Sequence, residues 1–337
     1  MIRALGAALA LSAIVSAAEA DIRLLSWSDL DGWARDDHIV ARSVFLETCA
    51  DIKGEEWRGA CSAASAEGSA QAFFEREFHP VLVSDGAEAL FTGYYEPELK
   101  GSRTQGGIYQ YPLHARPDSM PDDPWKTREE IERTGVLAGR GLEIAWLADP
   151  VEKFFLQIQG SGRIRLKDGS VMRVGFGGRN GHTYRSVGRE MIRLGILEEH
   201  EASAQQIKDW VRLNPQSGLK MLWHNPSYIF FREIEKLPET KGPLGAMNRS
   251  LTAGRSVAVD PRFVPLGAPV WVEKNGAEPM KRLMLAQDTG AAIRGAQRAD
   301  IFYGSGDKAG EIAGRVRDQG RLVVLLPVKR ARQLAGN

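Results

Sequence analysis

The chain has 337 residues, of which 43% are hydrophobic and 26% charged, with a formal net charge of +1. That length supports a large core and two domains, and the composition is that of a globular protein. The near-neutral balance offers no basic face for nucleic acid, and neither low-complexity tracts nor internal repeats are evident.

In chain order, the first twenty residues stand apart. Met1-Ile2-Arg3 is a short basic start, residues 5–17 are apolar and alanine-rich, and Ala18-Glu19-Ala20 is a small-residue cleavage signal before Asp21. This pattern predicts a secretory signal peptide over 1–20. The apolar run is short for a bilayer span, and an uncleaved anchor or buried helix is the other reading. No cysteine adjoins the cleavage point, which argues against a lipid anchor. The expected mature chain begins at Asp21 and is exported, hence periplasmic, with no stable membrane insertion. Export places Cys49 and Cys61 in an oxidising compartment, where a close, even pair predicts a disulfide. Such a bridge stabilises by about 2–4 kcal/mol; two reduced thiols remain the alternative, because spacing cannot fix geometry.

Helices are predicted over 37–49 and 66–78 from their 3.6-residue apolar period. A strand follows over 89–95, stopped by Glu96-Pro97, and then comes a turn-rich stretch. Thr127 and Glu130 have capping-box spacing ahead of a short helix. Residues 154–162 alternate apolar and polar over 156–159 and read as a half-buried strand carrying Gln157 and Gln159 on one face. Another strand is expected over 171–176, and helices over 186–194 and 203–213. From residue 244 onward short strands return at 256–259, 269–272, 283–287 and 322–326, with one helix over 307–317 and Asp307 as its N-cap. Short strands with frequent turns favour a closed barrel over a doubly wound sheet.

The six histidines sit in no zinc-ligand spacing, so no metal site is predicted. No G-x-S-x-G motif occurs, and Ser161, between Gly160 and Gly162, reads first as a turn residue. The glycine-rich run 175–181 reads equally as a mobile loop or as backbone lying against an extended ligand. Tyr94, Tyr95, Glu96, Gln157, Gln159, Tyr184, Trp223, Tyr228 and Tyr303 together suit a carbohydrate groove, where aromatic faces pack on sugar rings and amides bond hydroxyls. Each taken singly reads as well as a core residue. Three aspartates end or interrupt short apolar runs: Asp260 in Val-Asp-Pro-Arg, Asp288 in Gln-Asp-Thr-Gly, and Asp300 before Ile-Phe-Tyr-Gly. Aspartate before proline or near glycine is a common turn residue. Asp300, on or beside a strand, is the least easily explained so. Partial burial would raise its proton affinity, and Asp288 could orient it or share its proton, the arrangement that glycosidic-bond cleavage needs.

The ordered set Phe91-Thr92-Gly93-Tyr94-Tyr95-Glu96-Pro97, the 157–162 segment, Gly181-His182-Thr183-Tyr184, Asn225-Pro226-Ser227-Tyr228-Ile229-Phe230-Phe231 and the three-aspartate region resembles the lytic murein transglycosylase A family from about residue 80 to 327. The resemblance implies a mainly β fold: a double-psi β-barrel with peripheral helices, interrupted by a smaller β-domain, with a glycan groove between them. On this chain the barrel would take 21–101 and 236–337, and the insert 102–235. The resemblance puts the catalytic aspartate at Asp300, with Asp288 supporting it. Tyr94, Tyr95, Glu96, Gln157, Gln159, Ser161, Tyr184 and Asp260 become candidate substrate contacts. It implies no cofactor and, as partner, peptidoglycan glycan strands met by a monomer, with cell-wall synthesis or division machinery as further company. Family members are often lipoproteins, and this leader departs from that in lacking a cysteine. Two rival readings stand: a glycoside hydrolase using two carboxylates and water, and a non-catalytic peptidoglycan-binding protein.

Overall fold

The structure, a computed structural model, describes residues 20–120, 124–200 and 202–335. The leader read over 1–20 lies outside these residues except for Ala20. In chain order the elements are β1 (Asp21–Leu24), α1 (His38–Thr48), α2 (Arg58–Ala63), α3 (Ala70–Glu77), β2 (Phe78–Ser84), β3 (Leu90–Glu96), β4 (Glu98–Ser102), β5 (Tyr111–His114), α4 (Arg128–Thr134), β6 (Glu143–Leu147), α5 (Pro150–Gln159), β7 (Gly162–Arg165) and β8 (Val171–Arg179). They continue with α6 (Val187–Arg193), α7 (Ala204–Leu213), α8 (Pro215–Trp223), β9 (Ile229–Glu233), β10 (Ser256–Val259), β11 (Pro269–Lys274), β12 (Met280–Asp288), β13 (Arg298–Ser305), α9 (Asp307–Ala313), β14 (Arg317–Asp318), β15 (Gly320–Pro327) and α10 (Val328–Ala335).

The protein is mainly β, in two sheets. One has nine strands in the order β1-β2-β15-β11-β12-β10-β13-β3-β14; the other has six in the order β5-β6-β4-β7-β8-β9. In the larger sheet β10 runs parallel to β12, and β13 parallel to β3, while its other pairings are antiparallel. A parallel pairing needs a crossover and not a tight hairpin. The chain therefore winds through the middle of this sheet, bringing distant segments side by side. Strands β10, β11 and β15 read as near-continuous apolar runs because most of their residues are buried. Their core is closed by aromatic packing from the N-terminal helices: Phe45, Phe73, Phe74 and Phe78 stack among themselves, and Trp33 meets Trp271 with ring centroids 5.2 Å apart. Cys49 and Cys61 are joined in a disulfide that ties the end of α1 to α2.

Three expectations need correction. Residues 154–159 belong to helix α5 and form no strand. Asp149 caps that helix by accepting from Val151 N at 2.7 Å, Pro150 occupies its first turn, and Gly160 ends it at φ 77°. These are ordinary start and stop signals. Four alternating residues are too few to tell a period of 2 from one of 3.6. The glycine-rich run is no free loop: residues up to Arg179 lie in β8 and pair with β9, across a register shift between Phe176 and Gly178. A Cβ on Gly177 would sit 2.6 Å from the Phe231 carbonyl, so the close approach of β9 requires glycine there. Finally, Gly306 holds the N-cap position of α9, and Asp307 is its first residue.

Glu96 joins the two sheets. It ends β3 in the larger sheet and is 1% exposed. Its carboxylate accepts from Arg163 Nε of β7 at 2.8 Å, from Arg173 Nη2 of β8 at 2.7 Å, and from Ser305 Oγ of β13 at 2.7 Å. The same two arginines donate to the Pro238 and Lys241 carbonyls, holding the segment that returns the chain to the larger sheet. Removing one partner of a buried ion pair leaves uncompensated charge and costs about 3–5 kcal/mol. Glu96→Ala is therefore expected to lower unfolding free energy by about that amount, read by urea denaturation; a change below about 1 kcal/mol, the worth of an exposed pair, would show that the junction is held by other contacts.

Candidate active site

Alternation along β3 builds the site. Successive strand residues face opposite sides of a sheet. Thr92 and Tyr94 point to one side, where they meet the two carboxyl groups. Gly93 and Tyr95 point to the other, against α9: a Cβ on Gly93 would lie 2.7 Å from Ala313 Cα, and the Tyr95 ring sits over Gly310. The pairing places the carboxyls. Ala258 of β10 is opposite Asp300 on the β13 side and opposite Asp288 on the β12 side. The two aspartates thus stand on strands flanking β10, with backbones two strand spacings, about 9–10 Å, apart.

Each carboxyl is held by a hydroxyl from β3. Thr92 Oγ1 donates to Asp300 Oδ1 at 2.6 Å, and Tyr94 OH donates to Asp288 Oδ2 at 2.9 Å. Arg298 Nη2 donates to Thr92 Oγ1 at 2.8 Å, which fixes the hydroxyl with its hydrogen toward Asp300. Asp288 Oδ1 accepts two backbone amides, Ala246 N and Thr289 N, each at 2.9 Å. The 245–246 turn can approach this closely because residue 245 is glycine; a Cβ there would meet the Gln287 carbonyl at 2.7 Å.

Both aspartates are half-buried, so each keeps an edge toward solvent. Burial raises the proton affinity of both. For Asp300, the Thr92 hydrogen bond and the Arg298 charge oppose that effect without cancelling it. For Asp288, burial wins over its three hydrogen bonds, and the nearby Asp300 charge adds to it, giving a pKa of about 6. Tyr94 is pushed well above its ordinary value by burial and by both carboxylates, so it remains a protonated donor. The arrangement presents two carboxyls that retain protons where ordinary aspartates have lost them.

The other candidates are placed differently. Asp260, just past the end of β10, is fully buried and clasped by Arg262, with Gly295 N donating at 2.9 Å. Burial pushes its pKa up, but Arg262 and two backbone amides outweigh that and bring it to about 2, making it a structural anion. Tyr95 faces α9, away from the carboxyls. Glu96 is the junction described above. Gln157 is buried on α5, accepting from Arg128 Nη1 at 2.5 Å and donating to the Ile229 carbonyl at 2.8 Å. Gln159, at the end of α5, accepts from Tyr95 N at 3.2 Å. The shared strand face read for these two glutamines is absent because they sit on a helix. Ser161 is half-buried in the turn before β7, and Tyr184 is half-buried between β8 and α6. Trp223 donates to Glu132 Oε2 at 2.8 Å and Tyr228 is fully buried, so both belong to the smaller sheet's own packing. Thr92 and Arg298 were not singled out by sequence. Thr92 sits two residues before Tyr94, so the strand period was the available signal. Among the described residues no group of three or more His, Cys, Asp or Glu could hold a metal ion, and no helix is long and apolar enough to cross a membrane.

The fold and site together define a mainly β, two-sheet protein whose larger sheet displays a pair of proton-retaining carboxyls. A family model described as the MltA specific insert domain matches residues 90–232, and the 3D domain model matches residues 255–326. A membrane-bound lytic murein transglycosylase from Agrobacterium tumefaciens superimposes with a TM-score of 0.84 at 32% identity, over 93% of this chain and 99% of that one. E. coli MltA with bound chitohexaose superimposes with a TM-score of 0.74 at 26% identity, over 91% of this chain and 94% of that one. The Vibrio cholerae membrane-bound lytic murein transglycosylase A is 32% identical over 244 residues, 69% of this chain and 64% of that protein. The aligned part of the chain thus spans just under two thirds of that curated relative. The chain belongs to the lytic murein transglycosylase A family.

Thr92→Val removes a hydrogen bond that favours the ionised form, so the Asp300 titration midpoint is expected to rise, read by carboxyl carbon NMR; an unmoved midpoint would count against the hydroxyl's role. Folded Asp288 keeps its proton up to about pH 6, against an ordinary value of 3.8. The native state therefore binds more protons between these values, and this group's contribution to stability falls as pH rises through that window. Asp288→Asn should remove that fall, up to about 3 kcal/mol, measured as the difference between wild-type and variant unfolding free energies at pH 4 and pH 7.

Proposed function

We propose that this protein is a peptidoglycan lytic transglycosylase that cleaves the β-1,4 bond between N-acetylmuramic acid and N-acetylglucosamine without water. The observation that carries this reading is Asp300: a strand carboxyl at a solvent-facing edge, raised in proton affinity by burial and held by the Arg298–Thr92 chain. Family membership, and the chitohexaose named in the E. coli MltA structure, support a glycan substrate. In this reading Asp300 gives its proton to the glycosidic oxygen as the bond to C1 breaks. Positive charge develops at C1 of the muramoyl ring. The C6 hydroxyl of the same sugar attacks C1, and its proton passes to the Asp300 carboxylate. A 1,6-anhydromuramoyl end results, the acid is regenerated and no water is consumed. The internal nucleophile gains from proximity. Asp288, held by Tyr94 and two amides, is the supporting residue: its carboxyl stands beside Asp300 and faces the developing positive charge.

We read the nine-stranded sheet as the double-psi barrel of the family and the six-stranded sheet as its insert, with the glycan lying between them. The leader supports a periplasmic location, and a monomer without cofactor suffices for this chemistry. Of the sequence-derived aromatics, Tyr94 bonds Asp288 directly and positions it, while Tyr303, three residues along the strand from Asp300, lies within reach of the Asp300 charge.

Digestion of purified peptidoglycan, with the sugar ends identified by mass spectrometry, tests the assignment. Anhydromuramoyl ends are expected from the wild type, with a rate lowered by about 10²–10⁴ in Asp300→Asn. Reducing ends would mean that water is the nucleophile, and cleavage unaffected by the substitution would remove Asp300 from the chemistry. The rate should decline as pH rises past the titration of the carboxyl pair, because the acid form is then lost.

A further inference from the structure

The smaller sheet carries a cavity that this chemistry does not use. Its volume is about 450 Å³, within the range of small-molecule sites. It lies among β5, β6, α4, α5 and α8, and none of its walls comes from the nine-stranded sheet that holds Asp288 and Asp300. Most of the wall is apolar or aromatic, including Ile131, Leu137, Trp146, Leu222 and Trp223, with half-exposed Tyr111 at one side.

The charged groups in this wall are Arg128, Glu132, Glu143 and Lys153. Arg128 is fully engaged: Nε donates to the Asn225 carbonyl at 3.2 Å, Nη2 to the Ser227 carbonyl at 2.7 Å, and Nη1 to Gln157 at 2.5 Å and Glu132 at 3.3 Å. Glu132 is engaged as well, between Arg128 and the Trp223 indole N–H at 2.8 Å. Lys153 differs. It is only 7% exposed, and its one carboxylate contact is Glu132 Oε1 at 3.6 Å, an oxygen already bonded to Arg128. Its other neighbour is Tyr228: the ammonium lies 5.4 Å from the ring centre and also interacts with the hydroxyl, which bonds His114 Nδ1 at 2.9 Å. Burial lowers the Lys153 proton affinity, but Tyr228 and Glu132 together hold it above its ordinary value. An ammonium has three donors, so Glu132 and the Tyr228 hydroxyl leave one for a further partner on the cavity side. Burial, chiefly, holds His114 neutral, with a pKa of about 3. The inner wall thus has two cations against one carboxylate. Glu143, half-buried on β6, adds a negative charge elsewhere on the lining.

We infer that this cavity is a binding site for a small amphipathic monocarboxylate, whose apolar or aromatic body packs against Trp146, Trp223 and Leu137 and whose carboxylate takes the remaining donor of Lys153. A dianion would meet Glu143 as well as Glu132, and a neutral ligand would give the remaining Lys153 donor no charged acceptor. The inference goes beyond the proposed murein chemistry, and its readout does not involve cleavage, so either can fail without the other.

The test titrates the whole protein with N-acetylphenylalanine and, separately, with its neutral amide, following the Trp146 and Trp223 indole N–H signals by NMR. The acid is expected to shift both signals and to bind at least about tenfold more tightly than the amide, since a charge-assisted bond is at stake. Lys153→Met should bring the acid down to the level of the amide. Absence of any shift with the acid at millimolar concentration, or equal affinities of acid and amide in the wild type, overturns the proposal. The acid–amide comparison needs no substitution, so instability of Lys153→Met would not obscure the result.

Discussion

The buried carboxylate of Glu96 is the constraint on which the rest of the structure depends. A carboxylate taken out of water is tolerable only if its oxygens are matched by donors of opposite charge. Here one oxygen takes the Arg173 guanidinium and the other takes Arg163 and Ser305. Those donors come from both sheets, so satisfying one side chain fixes the relation between the sheets. The adjacent backbone repeats the point: Arg163 N donates to the Pro97 carbonyl, and Gly306 N to the Glu96 carbonyl. Pinning the end of β3 in this way also pins its register, and with it Thr92 and Tyr94. A slip by one residue would exchange the two faces of the strand and put glycine where the hydroxyl that serves Asp300 stands.

The three aspartates show how the surroundings divide one residue type into different roles. All three lie at or near strands of the same sheet. Burial raises proton affinity at each, and the balance then turns on the donors available. Asp260 has the Arg262 guanidinium and two backbone amides, and falls to a pKa of about 2. Asp288 has three uncharged donors and a neighbouring carboxyl, and rises to about 6. Asp300 has one hydroxyl and a cation one residue further away, and also rises. A directly clasped guanidinium outweighs burial; neutral hydrogen bonds do not.

The two sheets also divide the work. The larger brings strands from distant parts of the chain together around its parallel pairs, which is how β3, β10, β12 and β13 come to share a site. The smaller packs helices α4, α5 and α8 against itself around Arg128, Glu132 and Lys153. Its inner polar groups satisfy one another almost completely, and the small remainder, at Lys153, opens onto the cavity.

Much of this was legible in the chain. Strands β3, β10, β11, β12 and β15 were marked by short apolar runs between Gly, Pro and Asp; β10, β11 and β15 are buried on both faces, which is what such a run provides. The cap at Thr127 was marked by a residue whose side chain bonds a free helix amide. Asp288 and Asp300 stood out as carboxylates set against apolar strands, and the family resemblance agreed with them. Helix α5 was misread because a four-residue alternation outweighed the Asp149-Pro150 start and the Gly160 stop. Thr92 and Arg298 were missed, and Tyr95, Glu96 and Asp260 were grouped with the site, because a side chain's partners are not encoded in its neighbours along the chain. By itself the sequence determined where most strands lie, which residue caps the helix after Thr127 and which three aspartates were candidates for acid–base chemistry, since all of these rest on local pattern. Only the tertiary structure decided which carboxyls keep their protons and which aromatic meets them, since that depends on burial and on donors 194 to 208 residues distant.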